Sequence, residues 1–315
     1  MSVIDVESAD SGRTRGVMPG ATHLATKNSA GRAQLPAVWR RGSEDYPIAL
    51  EDLRYPPRQL YALGDASMLI GRRVAIVGTR RPTAYGLRVT RAIAGELARG
   101  GASIISGMAR GIDAAAHRAA LEAEGHTVAV MGTGIDVPYP TGHRALHELL
   151  AMRGLVLSEY GTGIGAHSGA FPRRNRIIAA LAPVTIVVEA GHRSGALNTA
   201  NQALELTRVV AAVPGPIDSP ESCGTNELIR DGAMVIASVA DALSLVGVSP
   251  PPKNRDAELS EKDLRVWQAL SGGGLDVDSL AARSRLPARE CLAAVTSLEL
   301  LGMVECLLTG EVRRR

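Results

Sequence analysis

Phenylalanine occurs once in this chain, at position 171, and aromatic residues make up only 3% of it. Without aromatic bulk, the hydrophobic 45% is carried by Ala, Val, Leu and Ile, which suit tight packing of helices on a sheet. Cysteine is equally scarce. Cys223, Cys291 and Cys306 are odd in number, far apart and form no CxxC. That excludes a disulfide framework and a structural zinc, and it fits a reducing, cytoplasmic setting. No apolar run approaches the roughly 18 residues that span a bilayer. The opening MSVIDVESADSGR carries acids where a secretion signal has an apolar stretch. No membrane association is expected. Nor is there a large excess of charge: the net charge is +3, so affinity for an anion must come from local clusters. GxGxxG, GxxxxGK[ST] and GxSxG are all missing, which disfavours a dinucleotide cofactor, a P-loop and a hydrolase elbow. No cofactor or metal is expected.

What is present is a repeating pattern. Short apolar runs end in Gly, Ser or Glu: Val74–Gly78, Ala102–Gly107, Thr127–Gly132, Leu155–Glu159, Val184–Glu189 and Val209–Gly215. Amphipathic segments lie between them, over Tyr85–Arg99, Ile112–Ala123, Thr141–Met152, Arg174–Leu181 and Ser194–Leu206. Continuous apolar strands alternating with helices predict a mostly parallel, doubly wound α/β sheet of Rossmann-like type. Residues 1–40 lack periodicity and read as a flexible tail. The α/β domain then covers 41–248, with 41–70 as a lead-in broken by Pro56 and Pro57. SPPPKNRDA, 249–257, reads as a linker. Beyond it, a helix marked by Leu264, Trp267 and Leu270, a second over Val277–Ser284 and a third over Pro287–Leu301 with Leu292, Val295 and Leu298 on one face precede a hairpin. This predicts a winged helix over 258–315. It carries eight Lys or Arg against nine Asp or Glu, which favours a partner-binding or weak-contact module over a reader of the major groove.

Ligands of open parallel sheets bind beyond the carboxyl ends of the strands. Here those ends carry Gly78-Thr79-Arg80-Arg81, Ser106-Gly107 with Arg110, Gly132-Thr133-Gly134, and His192-Arg193-Ser194-Gly195 opening a helix. A single glycine at such an end is accounted for by a tight βα turn, but four adjacent ends with three arginine sites point to an anion pocket. The lone Phe171 stands beside the densest cationic cluster, FPRRNR, with Arg173, Arg174, Asn175 and Arg176. Cations near a helix start oppose its dipole unless an anion is present. This predicts a phosphate contact for at least one of the three arginines, and a stacking role for Phe171. Asp113 and His117, four apart on a helix, read as a first-turn cap with its partner rather than an acid–base pair. Glu159 and Glu189 either orient the arginines and loops of the crevice, the favoured reading, or serve as general bases.

At VAIVGTRRPTAYG, SGMARGIDAAAH, FPRRNRIIAAL, EAGHRSGALNTA and PGPIDSPESCGTNELIRDGA, from about Asp45 to Leu245, the chain closely resembles the DNA-processing protein A family (DprA, also called Smf). The resemblance implies an extended Rossmann-type domain that binds single-stranded DNA without strong sequence preference, forms a homodimer, and loads a RecA recombinase onto incoming strands in natural transformation. It implies no enzymatic activity. Carried over by position, the DNA pocket comprises Gly78, Thr79, Arg80, Gly107, Arg110, Phe171, Arg173, Arg174, Asn175, Arg176, Ser194 and Gly195. Leu228, Ile229 and Met234 fall near the family's dimer contact. In place of the family's usual Ile-Thr-Ala after SGAL the chain has Asn198-Thr199-Ala200, and many members carry a helical domain where the tail stands here. A nucleotide-processing hydrolase on a related Rossmann-like fold, using Glu159 or Glu189, is the alternative. A nucleotide-sensing module is a weaker one.

Overall fold

The computed structural model describes residues 26–27, 33–249, 259–301, 303–307 and 310–314. It divides into two compact units, 1–251 and 252–315. Each is described by itself.

The first unit opens with a two-stranded antiparallel pair, β1 (Thr26–Lys27) and β2 (Ala33–Gln34). A nine-stranded sheet follows, built from β3 (Ala37–Arg40), β4 (Gln59–Gly64), β5 (Arg73–Val77), β6 (Ser103–Ser106), β7 (Thr127–Gly134), β8 (Leu155–Tyr160), β9 (Val184–Val187), β10 (Val209–Ala212) and β11 (Met234–Val235). Their spatial order is β11-β10-β9-β5-β6-β7-β8-β4-β3, parallel from β11 to β8 and antiparallel at β4 and β3. The helices are α1 (Ala84–Arg99), α2 (Ile112–Glu122), α3 (Arg144–Arg153), α4 (Ala170–Leu181), α5 (Gly195–Glu205), α6 (Cys223–Arg230) and α7 (Val239–Val246).

All six apolar runs are strands, β5 to β10. They are apolar throughout because both faces are covered. Val74 and Ile76 pack under α1, α2 and α7, while Ala75 and Val77, on the alternate face, pack under α4 and α5. Helix starts are set by side chains: Thr83 caps α1 by accepting from Gly86 N, and Ser194 caps α5 by accepting from Leu197 N.

One expectation changes here. The tail drawn to residue 40 runs too far, because Ala37–Arg40 is a sheet strand whose Trp39 is 5% exposed. The lead-in contributes β4, which pairs with both β8 and β3. Most of the tail, and the linker apart from Ser249, lie outside the described residues.

The second unit contains α8 (Glu261–Ala269), α9 (Val277–Ser284) and α10 (Ala288–Leu300), with a three-stranded antiparallel sheet of β12 (Leu275–Asp276), β14 (Glu311–Arg314) and β13 (Val304–Cys306) in that order. Leu292 does not face its core, being 53% exposed. The buried stripe of α10 is Cys291, Ala294, Val295 and Leu298, which follows the 3.6-residue period where a strict three-residue step drifts off it.

Candidate functional site

β5 and β9 are neighbours in the sheet, with β6 to β8 to one side and β10 and β11 to the other. The helices that follow them, α1 and α5, pack on opposite faces. At such a switch point the loops part and leave a crevice at the carboxyl ends. A cleft of about 1000 Å³ opens there. Gly78, Thr79 and Arg80 reach it from β5, Phe171, Arg174 and Asn175 from α4, and Ser194 and Gly195 from the start of α5. Gly78 has no room for a side chain, since a Cβ would lie 2.6 Å from the Ile112 side chain and 2.9 Å from Glu189 O. Gly107 and Arg110 line an adjoining cavity of about 400 Å³, which shares Arg80, Phe171 and Arg174 with the cleft.

Phe171 lies in the first turn of α4, not in a loop leading to it, because the helix starts at Ala170 after Gly169 in left-handed conformation (φ 82°). Pro172 is tolerated there, since first-turn N–H groups have no helical partner to lose. The Phe171 ring packs on Gly132, where a Cβ would lie 2.8 Å from it. Tyr139 covers it at 5.0 Å between ring centroids, tilted by 35°. The Arg80 guanidinium lies 5.8 Å from its centroid.

The three arginines of the cluster have different surroundings. Arg174 is 4% exposed and donates to Gly107 O at 2.6 Å, to Val130 O and to Asn175 Oδ1 at 3.2 Å. Burial pushes its pKa down to about 10, against the opposing pull of Asp113. It ties the loop after β6 to the middle of β7 from the cleft floor. Arg176 donates to Glu159 Oε1 at 2.5 Å and to Tyr55 O at 2.8 Å. Arg173 is 62% exposed, with Nε 3.5 Å from Glu159 Oε2. Arg173 and Arg176 therefore stand outside the cleft. The anion that the helix start requires is supplied at least in part by Glu159, whose side chain is 8% exposed.

Arg80, Arg81 and Arg110 are exposed and form no ion pair among the described residues. Arg81, placed at the end of the first strand by sequence but outside the carried-over pocket, lines the cleft and its neighbour. Tyr139 lines the neighbour and the loop Ile217–Glu221 the cleft, and sequence singles out neither as a pocket residue. The repeated arginine of GTRR is a signal for the first; Tyr139 carries none, because its place beside Phe171 depends on tertiary packing. Asn198 accepts from Asn175 Nδ2 at 3.1 Å inside the cleft.

Asp113 and His117 do not pair. Asp113 Oδ2 accepts from Gly107 N and Ala109 N at 3.2 and 3.4 Å, fixing the loop after β6, and burial raises its pKa. His117 Nδ1 lies 2.7 Å from Thr127 Oγ1, whose hydroxyl donates to Ile104 O. With that hydrogen spent, Nδ1–H is the donor, and Nε2, buried without a hydrogen-bond partner among the described residues, suits the unprotonated nitrogen of a neutral ring. Burial holds its pKa down at about 3. Glu189 accepts from Thr83 N at 2.9 Å and Thr83 Oγ1 at 2.5 Å. Both glutamates thus orient arginines or loops.

Leu228 and Ile229 are half-buried on α6, with Leu228 against the core, while Met234 is 53% exposed on the outermost strand β11.

Comparison with known proteins gives the following. Residues 37–247 match the family model of DNA recombination-mediator protein A, and 250–307 match the DprA winged helix domain. The DNA processing protein DprA of Bacillus subtilis is 42% identical over 200 residues, 63% of this chain and 67% of that protein. The structure of DprA from Streptococcus pneumoniae superposes with a TM-score of 0.64 at 39% identity, covering 66% of this chain and 74% of the other. DNA processing protein A from Helicobacter pylori, whose structure is described in terms of its single-stranded DNA binding mode, gives a TM-score of 0.61 at 36% identity, covering 65% of this chain and 94% of the other.

Proposed function

The chain belongs to the DNA recombination-mediator protein A family, and on that premise we propose that its cleft binds single-stranded DNA without strong sequence preference. The observation that carries this reading is the meeting, at one switch-point crevice, of three exposed arginines without an ion pair among the described residues (Arg80, Arg81 and Arg110) with the packed rings of Phe171 and Tyr139. Cations that track phosphates beside aromatic faces that accept any base are the parts of a sequence-tolerant single-strand site. Gly78, Thr79, Ser194 and Gly195 let the strand approach the backbone and the start of α5, while Gly107, Arg174 and Asn175 hold the floor. The bound strand is then passed to a RecA-type recombinase, in natural transformation or another recombination pathway, in the cytoplasm. The protein acts as a binder and not as an enzyme.

Fluorescence anisotropy with a labelled oligothymidylate over a salt series tests the cleft. Phe171→Ala should weaken binding about 5- to 150-fold, the equivalent of one lost stack, with the salt slope unchanged. Arg80→Ala should flatten the log–log slope by about 0.7. Binding of both variants at wild-type strength would remove the cleft as the DNA site.

The protein acts as a homodimer, with Ile229 and Met234 at the contact. The exposed edge of β11 beside Met234 supports this, since an open sheet edge with an apolar side chain favours pairing. Met234→Glu should shift sedimentation from dimer to monomer, and a wild-type sample that sediments as a monomer would dismiss the dimer.

A further inference from the structure

A second groove, of about 480 Å³, opens on the other side of the first turn of α4, lined by Arg54, Tyr55, Arg58 and Arg173 among others. Its volume is within the roughly 300–1,000 Å³ of small-ligand sites. Its charge is not balanced. Arg41 is offset by Glu51 at 2.5 Å, and Arg176 by Glu159 at 2.5 Å. Arg54 and Arg58 form no ion pair among the described residues, and Arg173 stands 3.5 Å from a carboxylate that Arg176 already holds. Three cations around one small groove repel one another unless an anion enters.

Tyr55 supplies the second component. A singly exposed tyrosine would be ordinary, but this one is 70% exposed beside cations, with the Arg54 guanidinium 5.3 Å from its ring centroid. Its backbone is held by the bond from Arg176 to Tyr55 O and is followed by Pro56 and Pro57. A ring on so constrained a turn loses little freedom when it meets a base. The groove and the cleft share α4 as a wall. Phe171 and Arg173, two residues apart, point to different sides of it. A strand leaving the cleft past Phe171 reaches Arg173 after crossing one helix width of about 10–12 Å.

We propose that this groove is a second subsite for the same single strand of DNA, in which Tyr55 stacks on a base and Arg54, Arg58 and Arg173 hold phosphates. It rests on the reading of the cleft as a single-strand site. The test measures binding of the full chain to oligothymidylates of about 5 and about 20 nucleotides, lengths that bracket most single-module site sizes. Tyr55→Ala keeps the carbonyl that Arg176 needs, and Arg54 and Arg58 are exposed, so the variants fold as the parent does. Tyr55→Ala should weaken the long oligonucleotide about 5- to 150-fold and leave the short one unchanged. Arg54→Ala with Arg58→Ala should flatten the salt slope for the long one by about 1.4. If these variants bind the long strand like wild type while Arg80→Ala weakens both lengths, the subsite is overturned and the cleft reading stands. Equal losses at both lengths also overturn it, because the groove would then not be a continuation. If Arg80→Ala changes neither length, the cleft reading falls and takes the subsite with it.

Discussion

Arg174 and Arg80 line the same cleft but differ in what surrounds them. Arg174 is buried, and its guanidinium satisfies the carbonyls of Gly107 and Val130. Arg80 is exposed, with an aromatic face as its neighbour. A buried acceptor left without its donor costs about 1–3 kcal/mol. Arg174→Ala is therefore expected to lower the unfolding free energy by at least that much in urea titration. Arg80→Ala should change it by no more than about 0.5 kcal/mol. Equal stability of the two variants would mean that Arg174 does not brace the floor. The contrast also separates two effects that a binding assay alone would merge, since loss of DNA binding in Arg174→Ala reflects a disturbed cleft as well as a missing charge. Sequence spacing places both arginines near the crevice. It does not reveal that one is buried, because the carbonyls it meets come from the loop after β6 and from β7, remote in sequence.

At the scale of elements, α2 is tied to the sheet by His117, through Thr127 on β7 to Ile104 on β6. The imidazole is neutral in the folded protein, its pKa falling from 6.5 to about 3, chiefly through burial and secondarily through the charge of Arg174. In the unfolded chain it binds a proton below about 6.5. The unfolded state therefore takes up more protons over that window, and the stability contributed by the buried neutral ring is present above pH 6.5 and lost as pH falls toward 3. The slope is about 1.4 kcal/mol per pH unit. Urea unfolding between pH 7 and pH 4.5 should show this slope in the wild type and a shallower one, by about that amount, in His117→Gln. Identical slopes would place the pH dependence elsewhere. The helix and strands that His117 joins are legible in the sequence, because parallel strands covered on both faces are continuous apolar runs. β3 and β4 are not. They are antiparallel, β3 at the edge and β4 next to it after the proline- and arginine-bearing YPP turn, so their apolar pattern is short and broken. The start of α4 is also hidden, since Pro172 and two arginines mask a first turn that begins at Ala170.

Across the whole molecule, exposed arginines that form no ion pair among the described residues line the cavities at the switch point of the sheet (Arg80, Arg81 and Arg110) and the groove at the YPP turn (Arg54 and Arg58). The C-terminal unit is nearly neutral, with eight basic against nine acidic residues from Glu258 onward. The proposed DNA contacts accordingly lie on the α/β unit. The crevice could be located from strand-end glycines and arginines; the aromatic pair could not, because Tyr139 and Phe171 meet only in the fold. The most direct measurement is a mobility-shift titration of the full chain with a single-stranded oligonucleotide and with the matching duplex, repeated over a salt series. The three cleft arginines, Arg80, Arg81 and Arg110, at about 0.7 each predict a log–log slope near −2 for the single strand, steeper by up to about 2 if the second groove is also engaged. The single strand should bind more tightly than the duplex at every salt concentration, since only unstacked bases reach the rings of Phe171 and Tyr139. Equal affinity for the two forms, or affinity for the single strand that does not change with salt, would contradict the account.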